Sequence, residues 1–184
     1  MTFTRRTAAA SLLALAGTSL VALPAFALNR DKLVARAHQS LSELEASSPA
    51  ARRASRSAHA VLVFPSILKA GFVFGGETGD GVLLEGGKPV GYYNMSGGSW
   101  GLQIGGQDFA YALFFMTPGS LEYLHKSDGW QAGTGPSITV INAGAAGEVD
   151  TTTATHDVLA FPYNGKGLMA DLTLQGTKIT RIKG

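Results

Sequence analysis

Residues 96–107 read Ser-Gly-Gly-Ser-Trp-Gly-Leu-Gln-Ile-Gly-Gly-Gln, and they carry the main signal for the fold class. Trp100, Leu102 and Ile104 alternate with glycine or glutamine, a period of two that is typical of a β-strand with one apolar face. Glycine inside a strand usually marks a bulge, a bend or the close approach of another backbone. We therefore predict that this stretch is the central strand of a closed or strongly bent antiparallel sheet.

The distribution of glycine divides the rest of the chain in two. Residues 28–59 contain no glycine, and leucine and alanine recur there at helical spacing. Two helices are predicted, the first capped by Asn29 and the second beginning at Ser48 and Pro49. From residue 60 onward, short apolar runs alternate with glycine-rich turns. Strands are predicted over residues 60–64, 71–74, 81–84, 90–93, 98–104, 109–116, 138–141, 158–163, 168–174 and 179–182, with a short helix over residues 117–125 before Gly129.

The predicted fold is a single α+β domain. An N-terminal helical segment over residues 28–59 packs on a glycine-rich antiparallel β-body over residues 60–184, which is barrel-like or sandwich-like. The strand over residues 109–116 is apolar throughout, so we expect it to be buried on both faces.

Residues 1–27 have the composition of a cleaved export signal. Arg5 and Arg6 precede an apolar run, and Ala25-Phe26-Ala27 matches the small-residue pattern of a cleavage site. The apolar run is too short to favour a membrane-spanning helix. We expect an exported protein, periplasmic or secreted and without a transmembrane span in the mature chain, which folds without disulfides because it has no cysteine.

Charge is segregated within the predicted mature chain. Arg5 and Arg6 account for the net charge of +2, so the chain after residue 27 is formally neutral and its composition does not indicate nucleic-acid binding. Residues 28–60 nevertheless carry six basic and three acidic side chains, whereas residues 61–184 carry seven basic and ten acidic side chains. The sequence predicts a basic helical arm before a mildly acidic body.

Two motifs raise the possibility of an enzyme. Ser99 lies in a G-x-S-x-G pattern, and Asp150 and His156 follow in the order of a hydrolase triad. That motif needs a strand that turns abruptly into a helix, whereas a strand pattern follows Ser99. Residues 165–170 fit a G-x-G-x-x-A dinucleotide fingerprint, but too few residues follow for the helix that it requires, so a hairpin turn is favoured.

Metal and cofactor sites are not predicted either. The four histidines, His38, His59, His125 and His156, show no metal-binding spacing, and the carboxylates are scattered. We expect a protein that is not an enzyme and has no cofactor.

Two sets of side chains are candidates for contact with lipid. Arg52, Arg53 and Arg56 are expected on one side of the second helix. The second set surrounds a turn and consists of Ile67, Leu68, Lys69 and Phe72. Apolar side chains beside a cation suit the boundary between lipid tails and phosphates. The alternative for the second set is a loop packed on the core with a lysine that reaches solvent.

Several segments together resemble the SYLF domain, in its secreted bacterial branch. They are residues 60–65, 69–76, 79–83, 96–107, 135–136 and 164–170. The resemblance implies a compact β-rich domain without enzyme activity, phosphoinositide or other phospholipid binding as in eukaryotic members, and actin-filament binding as in yeast actin-patch relatives. The chain departs from many members at residues 161–164 and 169–171, and it has no obvious amphipathic lipid-sensing helix.

The function expected from sequence is therefore an exported, non-enzymatic protein that binds anionic phospholipid membranes of the cell envelope. The alternative is a structural or protein-interaction scaffold without lipid contact. A hydrolase that uses Ser99 is a third hypothesis. Failure of a fluorophosphonate to label the native protein would dispose of it.

Overall fold

The computed structural model describes residues 29–127, 129–141, 156–164 and 176–183. For residues 69–75 and 99–107 it describes the strand backbone and not the side chains. The predicted export signal, the strand predicted over residues 168–174 and the motif at residues 165–170 lie outside the described residues.

Three helices form where capping residues predict them. They are α1 (Arg30–Ser47), α2 (Pro49–Ser57) and α3 (Pro118–Lys126). The Asn29 side chain accepts a hydrogen bond from the Lys32 backbone N–H at 3.1 Å and so caps α1. Ser48 ends α1 through its own N–H and caps α2 through its hydroxyl, which accepts from the Ala51 N–H at 3.3 Å. These caps confirm the predicted starts of α1 and α2.

Six described strands form one sheet. They are β1 (Ala60–Glu85), β2 (Lys88–Phe115), β3 (Trp130–Gln131), β4 (Ile138–Val140), β5 (Val158–Tyr163) and β6 (Lys178–Arg181). Their order is β3-β6-β2-β5-β4, and β1 pairs with β2. Residues 96–107 therefore lie in the central strand, β2. All pairs are antiparallel except β4 with β5, which is parallel.

The prediction of several short strands between residues 71 and 104 is wrong. β1 and β2 are two long strands joined by one turn at Gly86 and Gly87, whose φ angles are 54° and 78°. A Cβ atom on Gly79 would lie only 2.5 Å from the Ser66 carbonyl oxygen, and one on Gly81 would lie 2.6 Å from the Phe64 ring. Glycine thus lets the long hairpin fold back on itself. The sheet curls into a half-barrel without being interrupted.

The core lies on both faces of this sheet. Alternate residues of β2 from Phe109 to Phe115 enter two apolar clusters, which confirms that this segment is buried on both faces. One cluster includes Leu124 of α3 and Trp130 of β3. The other contains the buried faces of α1 and α2, namely Leu33, Ala37, Leu44, Ala50, Ala51 and Ala54. The molecule is a single α+β domain whose helical pair packs on the sheet, as predicted.

Candidate functional site

The helical pair carries six exposed cations. They are Arg30, Lys32, Arg36, Arg52, Arg53 and Arg56. Within the described part of the chain, Glu122 pairs with Lys126, and Glu85 lies within hydrogen-bond distance of His125, so none of the six cations is paired there with a carboxylate. The Arg30 guanidinium lies 4.9 Å from the centre of the Tyr92 ring, which holds the start of α1 against β2.

A cleft of about 420 Å³ lies between α1 and α2. Its walls are formed by Ser42, Glu45, Ala46, Arg52, Ser55 and Arg56. Three come from each helix, and within each helix they are spaced so that they share one face. The two helices are joined directly at Ser48, which ends α1 and caps α2 in an extended conformation, so residues from both helices can line one cleft.

Arg52 is held at one end of this cleft by the backbone of α1. Its Nε donates to the Glu45 carbonyl oxygen at 2.9 Å, and its Nη2 donates to the Ala46 carbonyl oxygen at 3.2 Å. These contacts place a cation at the negative end of the α1 dipole and satisfy carbonyl groups without helical partners. Arg52 thus stabilises the junction between the helices, a role that the sequence did not indicate.

The three predicted arginines do not share one environment. Arg52 and Arg56 line the cleft together, as residues four apart on a helix. Arg53 is also exposed but does not line the cleft. Arg56 makes no hydrogen bond or ion pair with any described residue.

The second candidate set divides between core and surface. Ile67 is completely buried in the core, whereas Leu68 is 54 % exposed. Leu68 lies opposite Asp108 of β2, and Lys69 lies opposite Gln107. The side chains of Lys69 and Phe72 lie outside the described residues. In this conformation, therefore, Leu68 is the described apolar side chain of the set that reaches solvent.

The hydrolase motif has the wrong backbone context. Ser99 is paired with Gly75 in the interior of β2, which continues as a strand to Phe115. The abrupt turn into a helix that exposes a serine nucleophile is therefore not formed. Asp150 lies outside the described residues. Over the described ranges there is also no group of three or more side chains that could hold a metal ion.

Several groups that hold the fold together have shifted pKa values. Hydrogen bonds from the Ser137 backbone N–H and hydroxyl lower the pKa of Asp157 below its usual value. Burial raises the pKa of Tyr163 to about 12, and it also raises the pKa of Tyr93 and Tyr111. None of these groups lines the cleft.

These features define a single α+β domain with a curled sheet and a basic helical pair. The family described as "Ysc84: Las17-binding protein actin regulator" matches residues 96–183. This match confirms the resemblance to the SYLF-domain family over residues 96–183. No curated protein matches the chain.

The matched range begins within β2 and contains α3 and β3 to β6. It excludes α1 and α2, so nothing known of the family transfers directly to the cleft between them. The family is not known for enzyme activity, which agrees with the lack of a nucleophile elbow at Ser99. Within the described ranges, no helix has both the length and the apolar character needed to cross a membrane.

Proposed function

We propose that this protein is an exported, non-enzymatic lipid-binding protein that associates with anionic phospholipid membranes of the cell envelope. It would act in the periplasm or after secretion, as the composition of residues 1–27 indicates. The observation that carries the proposal is the set of six exposed cations on α1 and α2, none of which is paired with a carboxylate in the described chain. Lipid binding is also what the SYLF resemblance implies.

The charge on the helical pair would strengthen binding to such a surface. Each basic side chain near an anionic membrane contributes roughly 1 kcal/mol, and the effect fades within a Debye length. Residues 28–60 carry three more basic than acidic side chains. The excess corresponds to roughly 3 kcal/mol, or on the order of a hundredfold in affinity.

A scaffold that binds another protein is the second candidate. The family description names an actin regulator that binds the protein Las17. Exposed apolar side chains on this chain, Leu68, Val90, Tyr123 and Val140, offer contacts of that kind. This hypothesis expects no binding to lipid of either charge.

Flotation with lipid vesicles separates the two functions. The sample is the chain from residue 28 onward, which contains every described element. We expect it to float with vesicles of phosphatidylglycerol and phosphatidylcholine, to remain behind with phosphatidylcholine alone, and to be released by high salt. Binding to neither kind of vesicle would support the scaffold.

A further inference from the structure

We propose that the cleft between α1 and α2 binds an aminophosphate, the chemical group in the head of phosphatidylethanolamine. The phosphate would lie against Arg56 and Arg52, and the primary ammonium against Glu45. As a membrane contact this inference rests on the proposed function, which it deepens by naming the head group. Small soluble molecules can also carry an aminophosphate, so the experiment tests both a lipid head group and a soluble ligand.

The lining of the cleft suits a small polar ligand. The cleft is an open depression of about 420 Å³ on the protein surface, so a ligand bound there would remain accessible from a membrane or from solvent. Its lining includes two arginines, two serines and one glutamate, which come from two helices. The hydroxyls of Ser42 and Ser55 can donate to phosphate oxygens without adding charge.

The guanidinium groups have donors to spare. Arg56 uses none of its N–H groups on another described residue, and the two bonds of Arg52 to carbonyl oxygens of α1 leave further N–H groups unused. Arginine presents donors in a planar fork that matches two phosphate oxygens at once. Because Arg52 is fixed by the end of α1, part of the phosphate site is held in place before the ligand arrives.

Glu45 decides which phosphate compound fits. It lines the same cleft, yet no cation of the described chain lies within ion-pair distance of its carboxylate. A ligand with only negative charge would be repelled by Glu45, whereas an aminophosphate offers it a cation. A primary ammonium donates three hydrogen bonds, while the quaternary ammonium of choline donates none. The cleft should therefore prefer ethanolamine to choline.

The other exposed cations have a different part in this arrangement. Arg30, Lys32, Arg36 and Arg53 do not line the cleft and act at long range on any anionic surface. Arg53 is thus a matched control for Arg56, because both are exposed arginines of α2 and only Arg56 lines the cleft.

The test measures affinity for vesicles with a constant fraction of phosphatidylglycerol. The remaining lipid is either phosphatidylethanolamine or phosphatidylcholine. We expect the protein to bind vesicles with phosphatidylethanolamine about tenfold more tightly than vesicles with phosphatidylcholine. This is the factor typical of one hydrogen bond to a charged group. Glu45→Gln and Arg56→Gln should each remove this preference, and Arg53→Gln should keep it while weakening both affinities alike. Ethanolamine lipids also change membrane packing, but this change affects the parent protein and the three variants equally.

A second experiment tests soluble ligands, namely O-phosphoethanolamine and inorganic phosphate. Binding of each is measured by the shifts of the amide signals of α1 and α2 in NMR spectra. Shifts with O-phosphoethanolamine that Glu45→Gln abolishes support the cleft even if no vesicle is bound, and they assign it a soluble ligand. Equal affinity for both vesicle mixtures, with no shift in the second experiment, overturns the aminophosphate site and leaves anionic-membrane binding intact. Loss of the preference in Arg53→Gln as well would also overturn it.

Discussion

Two buried tyrosine hydroxyls differ in whether they have a partner. The Tyr163 hydroxyl of β5 lies 2.7 Å from the Ser40 hydroxyl of α1 and joins the helix to the sheet. The Tyr93 hydroxyl is buried without a hydrogen-bond partner among the described residues. Removing one hydroxyl of a buried hydrogen-bonded pair lowers the free energy of unfolding, because its partner stays buried without a hydrogen bond. Removing a buried hydroxyl that has no partner does not lower it.

We expect Tyr163→Phe to lower the free energy of unfolding by about 1–2 kcal/mol, because the Ser40 hydroxyl stays buried without a partner. Tyr93→Phe is the matched control and should leave stability unchanged or slightly higher. Urea denaturation measures both. An equal loss in the two variants would show that the hydrogen bond between Tyr163 and Ser40 does not stabilise the fold.

The same pair predicts a dependence on alkaline pH. Burial raises the pKa of Tyr163 from 10.0 to about 12, so the neutral phenol favours the folded state. Its contribution is fully present below pH 10 and is lost as the pH rises toward 12. Tyr163→Phe should therefore lose less stability than the parent over that interval.

At single positions, the sequence predicted a residue's structural role best where that role depends on neighbours in the chain. The caps at Asn29 and Ser48 depend on residues within one helical turn, and both were predicted. The bonds of Arg52 to the end of α1 depend on the angle between two helices, which no local pattern encodes. Ile67 is buried and Leu68 exposed because the β1–β2 register shifts between Phe64 and Ile67, an irregularity that simple alternation does not predict.

Among the elements, α3 and the start of β5 are held together by one carboxylate. Asp157 accepts hydrogen bonds from the Ser137 N–H and hydroxyl, each at 3.0 Å, and from the Thr117 hydroxyl at 3.2 Å. Thr117 is also the N-cap of α3. A single side chain thus positions a helix start and the loop before β4.

Asp157→Asn should lower the free energy of unfolding at neutral pH by about 1–2 kcal/mol, because charge-assisted hydrogen bonds become neutral ones. The lowered pKa of Asp157 means that its contribution is present above the ordinary value of 3.8 and lost as the pH falls through the folded-state value. Thermal unfolding at neutral and at strongly acidic pH is the measurement. A difference between variant and parent that persists unchanged in acid would contradict this account.

The long hairpin shows where glycine-based prediction of strands goes wrong. Glycine clusters were interpreted as turns, yet within β1 they occur where two parts of the same strand approach each other. Sequence patterns cannot distinguish a turn from a close approach within a strand, because each of them favours a residue without a Cβ atom. The close contact at Gly79 distinguishes them in the structure.

We expect Gly79→Ala to destabilise the protein by about 1–3 kcal/mol, the range for overpacking. Its Cβ would lie 2.5 Å from the Ser66 carbonyl oxygen and 2.8 Å from Ile67 Cγ1. Gly98→Ala in β2 is the control, since a Cβ there meets no atom within 4 Å. The control should be neutral or slightly stabilising in urea denaturation. Equal effects at both positions would mean that the hairpin does not curl as described.

At the scale of the whole molecule, composition predicted more than motifs did. The boundary between a glycine-free and a glycine-rich half gave the α+β class and the helices on the sheet. The charge count predicted a basic helical arm, and all six of its cations are exposed. The cleft was not predicted, because it depends on how α1 and α2 lie against each other, which no local pattern encodes.

The last prediction concerns charge reversal on the helical pair. Changing Arg52, Arg53 and Arg56 together to glutamate is expected from sequence to abolish binding to anionic vesicles. The bonds that Arg52 makes to the end of α1 show that this triple variant also weakens the helix junction. The sharper variant is therefore Arg53→Glu with Arg56→Glu, which leaves Arg52 in place.

That double change turns an excess of three basic side chains in residues 28–60 into an excess of one acidic side chain. The helical pair would then be repelled by an anionic surface, so flotation with phosphatidylglycerol vesicles should be lost while circular dichroism and the melting temperature stay unchanged. Lys69→Glu is the comparison, and it should weaken binding less because it changes one cation on the acidic body. A folded double variant that floats as the parent does would show that these arginines only solvate α2, and the basic helical pair would not be the membrane contact.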